Sequence, residues 1–162
     1  MNIDLTSIII AIIGLSFFLV PVALDYLLKK KSSKKIEKEL FRLAKSKNAR
    51  ITKCDVWRDS YAIGIGSDSR KLFYLKKQQD KNEEIMINLA EVKKCSISKT
   101  NGSIKGQHNR MNVNQVSLIL TFLDSDKPEK KLAFYRKDQD QNLQGEIDLA
   151  EKWVSIINLK LL

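Results

Sequence analysis

The chain has 162 residues and a formal net charge of +10, and 30% of its residues are charged. This length supports one folded domain with a single core beside a terminal segment, and excludes a chain of several domains. Only two cysteines, Cys54 and Cys95, and one histidine, His108, are present. Those numbers exclude a disulfide-rich scaffold and a zinc site made of cysteine and histidine.

The N-terminal stretch 5–24 contains no charged side chain and consists mainly of Ile, Leu, Val, Phe and Ala. A helix of about 20 such residues spans the hydrocarbon core of a bilayer. We therefore predict a transmembrane helix within an anchor, residues 1–28. The alternatives are a cleaved signal peptide, whose basic start and small-residue cleavage site are missing here, and a helix buried in a folded domain.

Lysines follow the apolar stretch immediately, and segment 29–53 holds 11 of the 29 Lys and Arg residues. Basic residues beside a span stay on the cytoplasmic side, which predicts a single-pass protein of the inner or plasma membrane with its N-terminus outside and a cytoplasmic C-terminal domain. We expect anionic lipid headgroups, rather than nucleic acid, as the counter-charge. The residues expected at the membrane surface are Lys29, Lys30, Lys31, Lys34, Lys35 and Lys38.

The following segment, 29–49, is predicted to be a basic linker helix. Apolar residues recur at helical spacing on one of its faces, at Ile36, Leu40, Leu43 and Ala44. This face can lie on the bilayer surface or pack on the next domain, and we expect it to pack at least partly on the domain. The sequence leaves open whether the linker continues the anchor helix.

From residue 50 onward the hydrophobic period is two, which is typical of strands. The third strand is apolar on both faces and is therefore expected to be central. A helical period returns near the end, with an apolar stripe that includes Trp153. This stripe must be covered, and an open end of a small β-barrel is the simplest partner. The predicted strands are 50–57, 61–65, 72–75, 85–89, 92–98, 113–123 and 131–136, and the predicted helix is 147–161.

Residues 50–162 resemble the pleckstrin-homology (PH) superfold. The similarity is carried by segments 57–65, 71–75 and 87–92 and by Trp153, which matches a tryptophan often found in the closing helix of these domains. The resemblance implies a seven-stranded antiparallel barrel or sandwich capped by a C-terminal α-helix. A split β-sandwich of another type is the alternative. The whole chain also resembles small bacterial membrane-anchored proteins of unassigned function.

PH-like domains bind phosphoinositides, peptides or other proteins, and most are not enzymes, so the resemblance implies a binding module. The loop between the first two strands has Arg58 beside Asp59 instead of a dense basic cluster, so we do not expect phosphoinositide binding. No nucleophile motif, phosphate-binding loop or zinc motif is present, and His108 lies in a polar loop. We therefore expect no enzymatic activity, no metal and no cofactor.

The complete prediction is an N-terminal transmembrane helix, a linker helix and a PH-like interaction domain that presents a scaffold or adaptor surface to a protein partner. One alternative function is a peripheral domain that senses anionic lipid. Another is an unrecognised enzyme, which a deep pocket lined by titratable groups would indicate. The position of the interaction surface and the oligomeric state stay open.

Overall fold

The structure, a computed structural model, describes residues 5–66, 70–78, 82–101, 113–140 and 142–161. His108 and the N-terminal residues 1–4 lie outside this part of the chain. The positions of the seven predicted strands and of the C-terminal helix are confirmed. In chain order the elements are α1 (Leu5–Ser46), β1 (Ile51–Trp57), β2 (Tyr61–Gly66), β3 (Lys71–Lys76), β4 (Glu83–Asn88), a 3-10 turn (Leu89–Glu91), β5 (Val92–Asn101), β6 (Val113–Phe122), β7 (Lys130–Arg136) and α2 (Glu146–Leu161).

The strands form two separate antiparallel sheets, one in the order β1-β2-β3-β4 and one in the order β5-β6-β7. The predicted fold class, a closed seven-stranded barrel or PH-like sandwich, is therefore wrong. Its physical cause is the 3-10 turn after β4, where the Asn88 side chain accepts a hydrogen bond from the Ala90 N–H. This turn separates β4 from β5, so the ladder of hydrogen bonds does not continue between them. The central position predicted for β3 is confirmed.

Helix α2 packs on the second sheet, where it contacts β5, β6 and β7. Glu146 and Asp148 lie in its first turn and Lys160 in its last, an arrangement that suits the helix dipole. Trp153 is fully buried, and its Nε1 donates a hydrogen bond to Oδ2 of Asp55 on β1 at 2.8 Å. The indole is thus both packed in the core and satisfied in its hydrogen bonding. Through these contacts α2 links the first sheet to the second.

The second half of α1 covers the outer face of the first sheet. Ile36, Leu40 and Ala44 are almost completely buried, and they form a second apolar cluster with Phe73 and Leu75 of β3. The prediction that this face of the linker packs on the domain is confirmed. Because the other face of the sheet contacts the main core, the strands β2 and β3 are buried on both sides.

The N-terminal apolar stretch is not a separate element, because α1 runs without interruption from Leu5 to Ser46. In the described ranges of the chain, no helix combines the length and the apolar character needed to cross a bilayer. The predicted transmembrane helix in residues 1–28 is therefore wrong. The predicted location is wrong for the same reason. That prediction was a single-pass protein of the inner or plasma membrane with its N-terminus outside and a cytoplasmic C-terminal domain.

Candidate functional site

Helix α2 bonds to the backbone of β5, an edge strand of the second sheet. Asn158 of α2 contacts the backbone of Cys95 twice: the Cys95 N–H donates to Oδ1, and Nδ2 donates to the Cys95 carbonyl, both at 2.9 Å. The amide thus bonds to β5 as an additional strand would. An edge strand normally presents unpaired backbone groups, so this contact protects β5 from strand addition.

Aromatic residues of the first sheet contact the backbone of β7, the other edge strand of the second sheet. Tyr74 donates its hydroxyl hydrogen to the carbonyl of Ala133 at 2.7 Å, and Trp57 Nε1 donates to the carbonyl of Phe134 at 2.9 Å. Burial, with a smaller contribution from Glu83, raises the pKa of Tyr74 far above its ordinary value. The phenol therefore stays protonated and remains a donor. These bonds hold β7 at a fixed distance from the first sheet.

A groove follows β4, the edge strand of the first sheet. It consists of two adjoining cavities of about 440 and about 850 Å³, which share Glu84, Ile85 and Lys130. One wall is β4 itself, and the other wall contains Phe122, Lys127 and Lys130. We call this feature, bounded by β4 (Glu83–Asn88), Phe122, Lys127 and Lys130, the β4 groove.

The backbone of β4 opens into the β4 groove. Leu89 donates its N–H to the carbonyl of Arg70 on the β3 side at 2.6 Å, and the pairing of β3 with β4 has no bulge. In an antiparallel ladder, hydrogen-bonded and non-hydrogen-bonded pairs alternate. Counting back from Leu89, the N–H and C=O groups of Glu84, Met86 and Asn88 point away from β3. Within the described residues β4 has no second strand beside it, so these groups form a free edge.

The side chains of the β4 groove combine an apolar floor with charges of both signs. Lys127 forms an ion pair with Glu91 and lies 4.6 Å from the centre of the Phe122 ring. The hydrogen bond from Lys127 lowers the pKa of Glu91, so this carboxylate remains charged at neutral pH. Met86 is 42% exposed, whereas Ile85 points toward the core. A ligand here meets apolar surface at the floor and cations along one wall.

The residues of the turn between β1 and β2 form hydrogen bonds with both helices of the fold. Arg58 and Asp59 have positive φ angles of 52° and 51°, a conformation that costs a residue with a side chain about 1 kcal/mol or more. Ser33 of α1 donates a hydrogen bond to Asp59, and Arg58 Nε donates to Oε1 of the buried Glu146 at 2.5 Å. Arg58 therefore stabilises the junction of the turn with α2 and is not displayed toward a phosphate.

The lysines predicted to contact a membrane surface lie on α1, remote from the β4 groove in the chain. Lys31, Lys34, Lys35 and Lys38 are exposed on the side of α1 opposite its packed face, and the side chains of Lys29 and Lys30 lie outside the described part. Their contact with anionic headgroups stays a prediction. Among the described residues no cluster of His, Cys, Asp or Glu is arranged to hold a metal ion.

Sequence reasoning did not find the β4 groove. The alternation of Ile85 and Ile87 identifies a strand with one buried face, but an alternating pattern is the same in a central and an edge strand. The position of β4 at an edge follows from its pairing with distant segments. A weak signal was available in Met86, an apolar residue that shares the outer face of the strand with Glu84 and Asn88 while Ile85 and Ile87 face the core.

Comparison of the chain with protein-family models, with curated proteins and with solved structures finds no match. The resemblance of residues 50–162 to the PH superfold therefore stays a prediction.

Proposed function

We propose that this chain is a protein-interaction module that holds an extended peptide of a partner protein as an additional strand along β4. The observation that supports this proposal is the free edge of β4 beside an open groove. The edge of β5 is bonded by Asn158, and carbonyls of β7 accept hydrogen bonds from Tyr74 and Trp57. β4 combines an edge without a neighbouring strand in the described residues with an open groove beside it, which is the arrangement that strand addition uses.

The chemistry of the β4 groove defines the peptide that it would accept. The outward groups of Glu84 and Met86 supply main-chain hydrogen bonds, which bind any extended sequence. Side chains of an added strand alternate between two faces. Every second residue of the peptide would therefore point into the β4 groove toward Phe122 and should be apolar. Lys130 favours an acidic residue on the wall opposite β4, and Glu84 favours a basic residue on the outer face.

A peptide library displayed on phage, selected against the full-length chain, tests this proposal. Enriched peptides are synthesised, and their dissociation constants are measured by calorimetry. Met86→Pro removes one edge N–H and places a ring on the free edge, a position at which proline is compatible with an edge strand. Loss of one main-chain hydrogen bond together with the steric block corresponds to roughly tenfold weaker binding or more.

Met86→Ala is the matched control, because it removes the same side chain and keeps the N–H. We expect it to change the dissociation constant by less than about threefold. Hydrogen exchange on the complex should show slower exchange of the Glu84 and Met86 amides. Equal binding by both variants, or protection located on another element, would contradict strand addition at β4.

A further inference from the structure

An ion pair between Glu91 and Lys127 lies at one end of the β4 groove. Lys127 donates a hydrogen bond to Oε2 of Glu91, and Nδ2 of Asn88 donates to Oε1 of the same carboxylate at 3.1 Å. The Glu91 carbonyl accepts from the N–H of Leu123 at 2.9 Å, which fixes the 3-10 turn beside the hairpin that carries Lys127. Glu91 is therefore positioned to hold the Lys127 ammonium at the wall of the β4 groove.

This ion pair is exposed to solvent, so Lys127 can exchange one carboxylate for another. The Lys127 side chain is 43% exposed and the Glu91 side chain is 49% exposed. The ammonium also lies 4.6 Å from the centre of the Phe122 ring, beside the apolar floor of the β4 groove. An exposed ion pair stabilises a fold only weakly, so a carboxylate of a ligand in the groove can replace Glu91 with little loss of stability.

The two lysines of the β4 groove lie near opposite ends of β4. Lys130 lines the cavity beside Ile85, and Lys127 reaches Glu91, which lies beyond the last residue of β4. From Ile85 to the start of the 3-10 turn is four residues, roughly 13 Å of extended chain. A strand added along β4 covers this length with four of its own residues, and its alternate side chains face the groove. The side chain midway between the two lysines meets the apolar floor.

We infer that the peptide bound along β4 carries two acidic residues four positions apart with an apolar residue midway, and that Lys127 releases Glu91 to bind one of them. Lys130 binds the other acidic residue. In the free protein Glu91 thus takes the place of a carboxylate of the partner, and it competes with the peptide for Lys127. This inference rests on the proposed strand addition and specifies the partner as an acidic extended segment.

Parallel phage selections against the full-length chain test this inference. A library of random nonapeptides is selected against the unmodified chain, Glu91→Gln and Lys127→Gln. The unmodified chain should enrich peptides with the pattern acid–x–apolar–x–acid, and Lys127→Gln should retain only one of the two acidic positions. Calorimetry with the most enriched peptide should show about two- to fivefold tighter binding to Glu91→Gln, because the lysine no longer has an internal partner.

A peptide analogue with amides in place of both acidic residues distinguishes competition from a change in the fold. The gain from Glu91→Gln should disappear with this analogue. Glu151→Gln is the matched control, because it breaks an exposed ion pair with Lys99 outside the β4 groove and removes the same charge. It should leave the dissociation constant unchanged.

The outcomes separate this inference from the proposed function. Enriched peptides without the acidic pattern, or equal affinity of Glu91→Gln and Glu151→Gln for the acidic peptide, overturn the inference. Strand addition itself is still supported in that case if the Glu84 and Met86 amides are protected from hydrogen exchange. If no peptide is enriched, or if protection falls on another element, the proposed function fails together with the inference.

Discussion

Replacing Asn158 by alanine removes the contact that closes the edge of β5. The two hydrogen bonds between its amide and the backbone of Cys95, each 2.9 Å long, are lost together. Cys95 is 1% exposed, so water has little access to the freed N–H and C=O groups. Two hydrogen bonds at about 1 kcal/mol each, with part of the penalty for unsatisfied buried groups, lower the free energy of unfolding by about 2–3 kcal/mol.

Asn158→Asp gives a more specific test because its effect depends on pH. The carboxylate still accepts from the Cys95 N–H, but it faces the Cys95 carbonyl with a second acceptor. Only the protonated form can donate there, so folding raises the pKa of the introduced carboxyl above its ordinary value of about 3.9. Relative to the unmodified chain, the variant is then most stable below that ordinary pKa, and the stability is lost as the pH rises through the raised value.

Urea unfolding followed by tryptophan fluorescence measures these differences at pH 7 and pH 4. Leu159→Ala is the matched control on the same helix, since Leu159 is 70% exposed. Hydrogen exchange at the Cys95 amide reports the contact directly and should accelerate in Asn158→Ala. The reasoning is refuted if Asn158→Ala unfolds at the same urea concentration as Leu159→Ala, or if the Cys95 amide stays protected.

Two further predictions concern packing and thiol reactivity. A Cβ at Gly64 would lie 3.1 Å from Cδ2 of Leu40, so Gly64→Val should lower the free energy of unfolding by about 1–3 kcal/mol. Gly14→Ala, with nothing within 4 Å of the added Cβ, is its control and should be neutral or slightly stabilising in a urea titration. Burial raises the pKa of Cys95 to about 12, and burial and nearby carboxylates raise that of Cys54. Iodoacetamide at pH 8 should therefore modify Cys54 more slowly than a free thiol and Cys95 only after unfolding; rapid alkylation of Cys95 in the folded chain would contradict its burial.

The strands were predictable because the hydrophobic period in this part of the chain is two and turn residues separate one strand from the next. Segment 113–123 was predicted as a strand and is observed as β6, Val113–Phe122. The fold class was predicted wrongly because it depends on which strands pair with one another. Local periodicity does not show where a hydrogen-bonded ladder ends, and the 3-10 turn after β4 divides the strands into two sheets. The predicted anchor is wrong because no helix in the described part of the chain is long and apolar enough to cross a bilayer. Whether the linker continues the N-terminal helix was left open by the sequence, and α1 does continue through the lysines to Ser46.

The candidate site was less predictable than the fold. Asn158 is a single polar residue on a helix, and its sequence context gives no sign that it bonds to Cys95, 63 positions earlier. The free edge of β4 likewise depends on which strands pair across the domain. In both cases the deciding contact joins residues that are far apart in the chain. The amino-acid pattern within one helix or strand does not show which distant element lies beside it.

The packing of α1 on the first sheet determines where the folding unit begins. A fragment that starts at residue 50 retains every strand and α2, but it uncovers Ala62, Phe73 and Leu75, which are completely buried in the full chain. Such a fragment would present an apolar sheet face to water and would tend to aggregate. The autonomous domain therefore includes the second half of α1, from about Ser33 onward. Proteolysis or truncation within this half of the helix would unfold the β domain, whereas cleavage before it would release the domain intact.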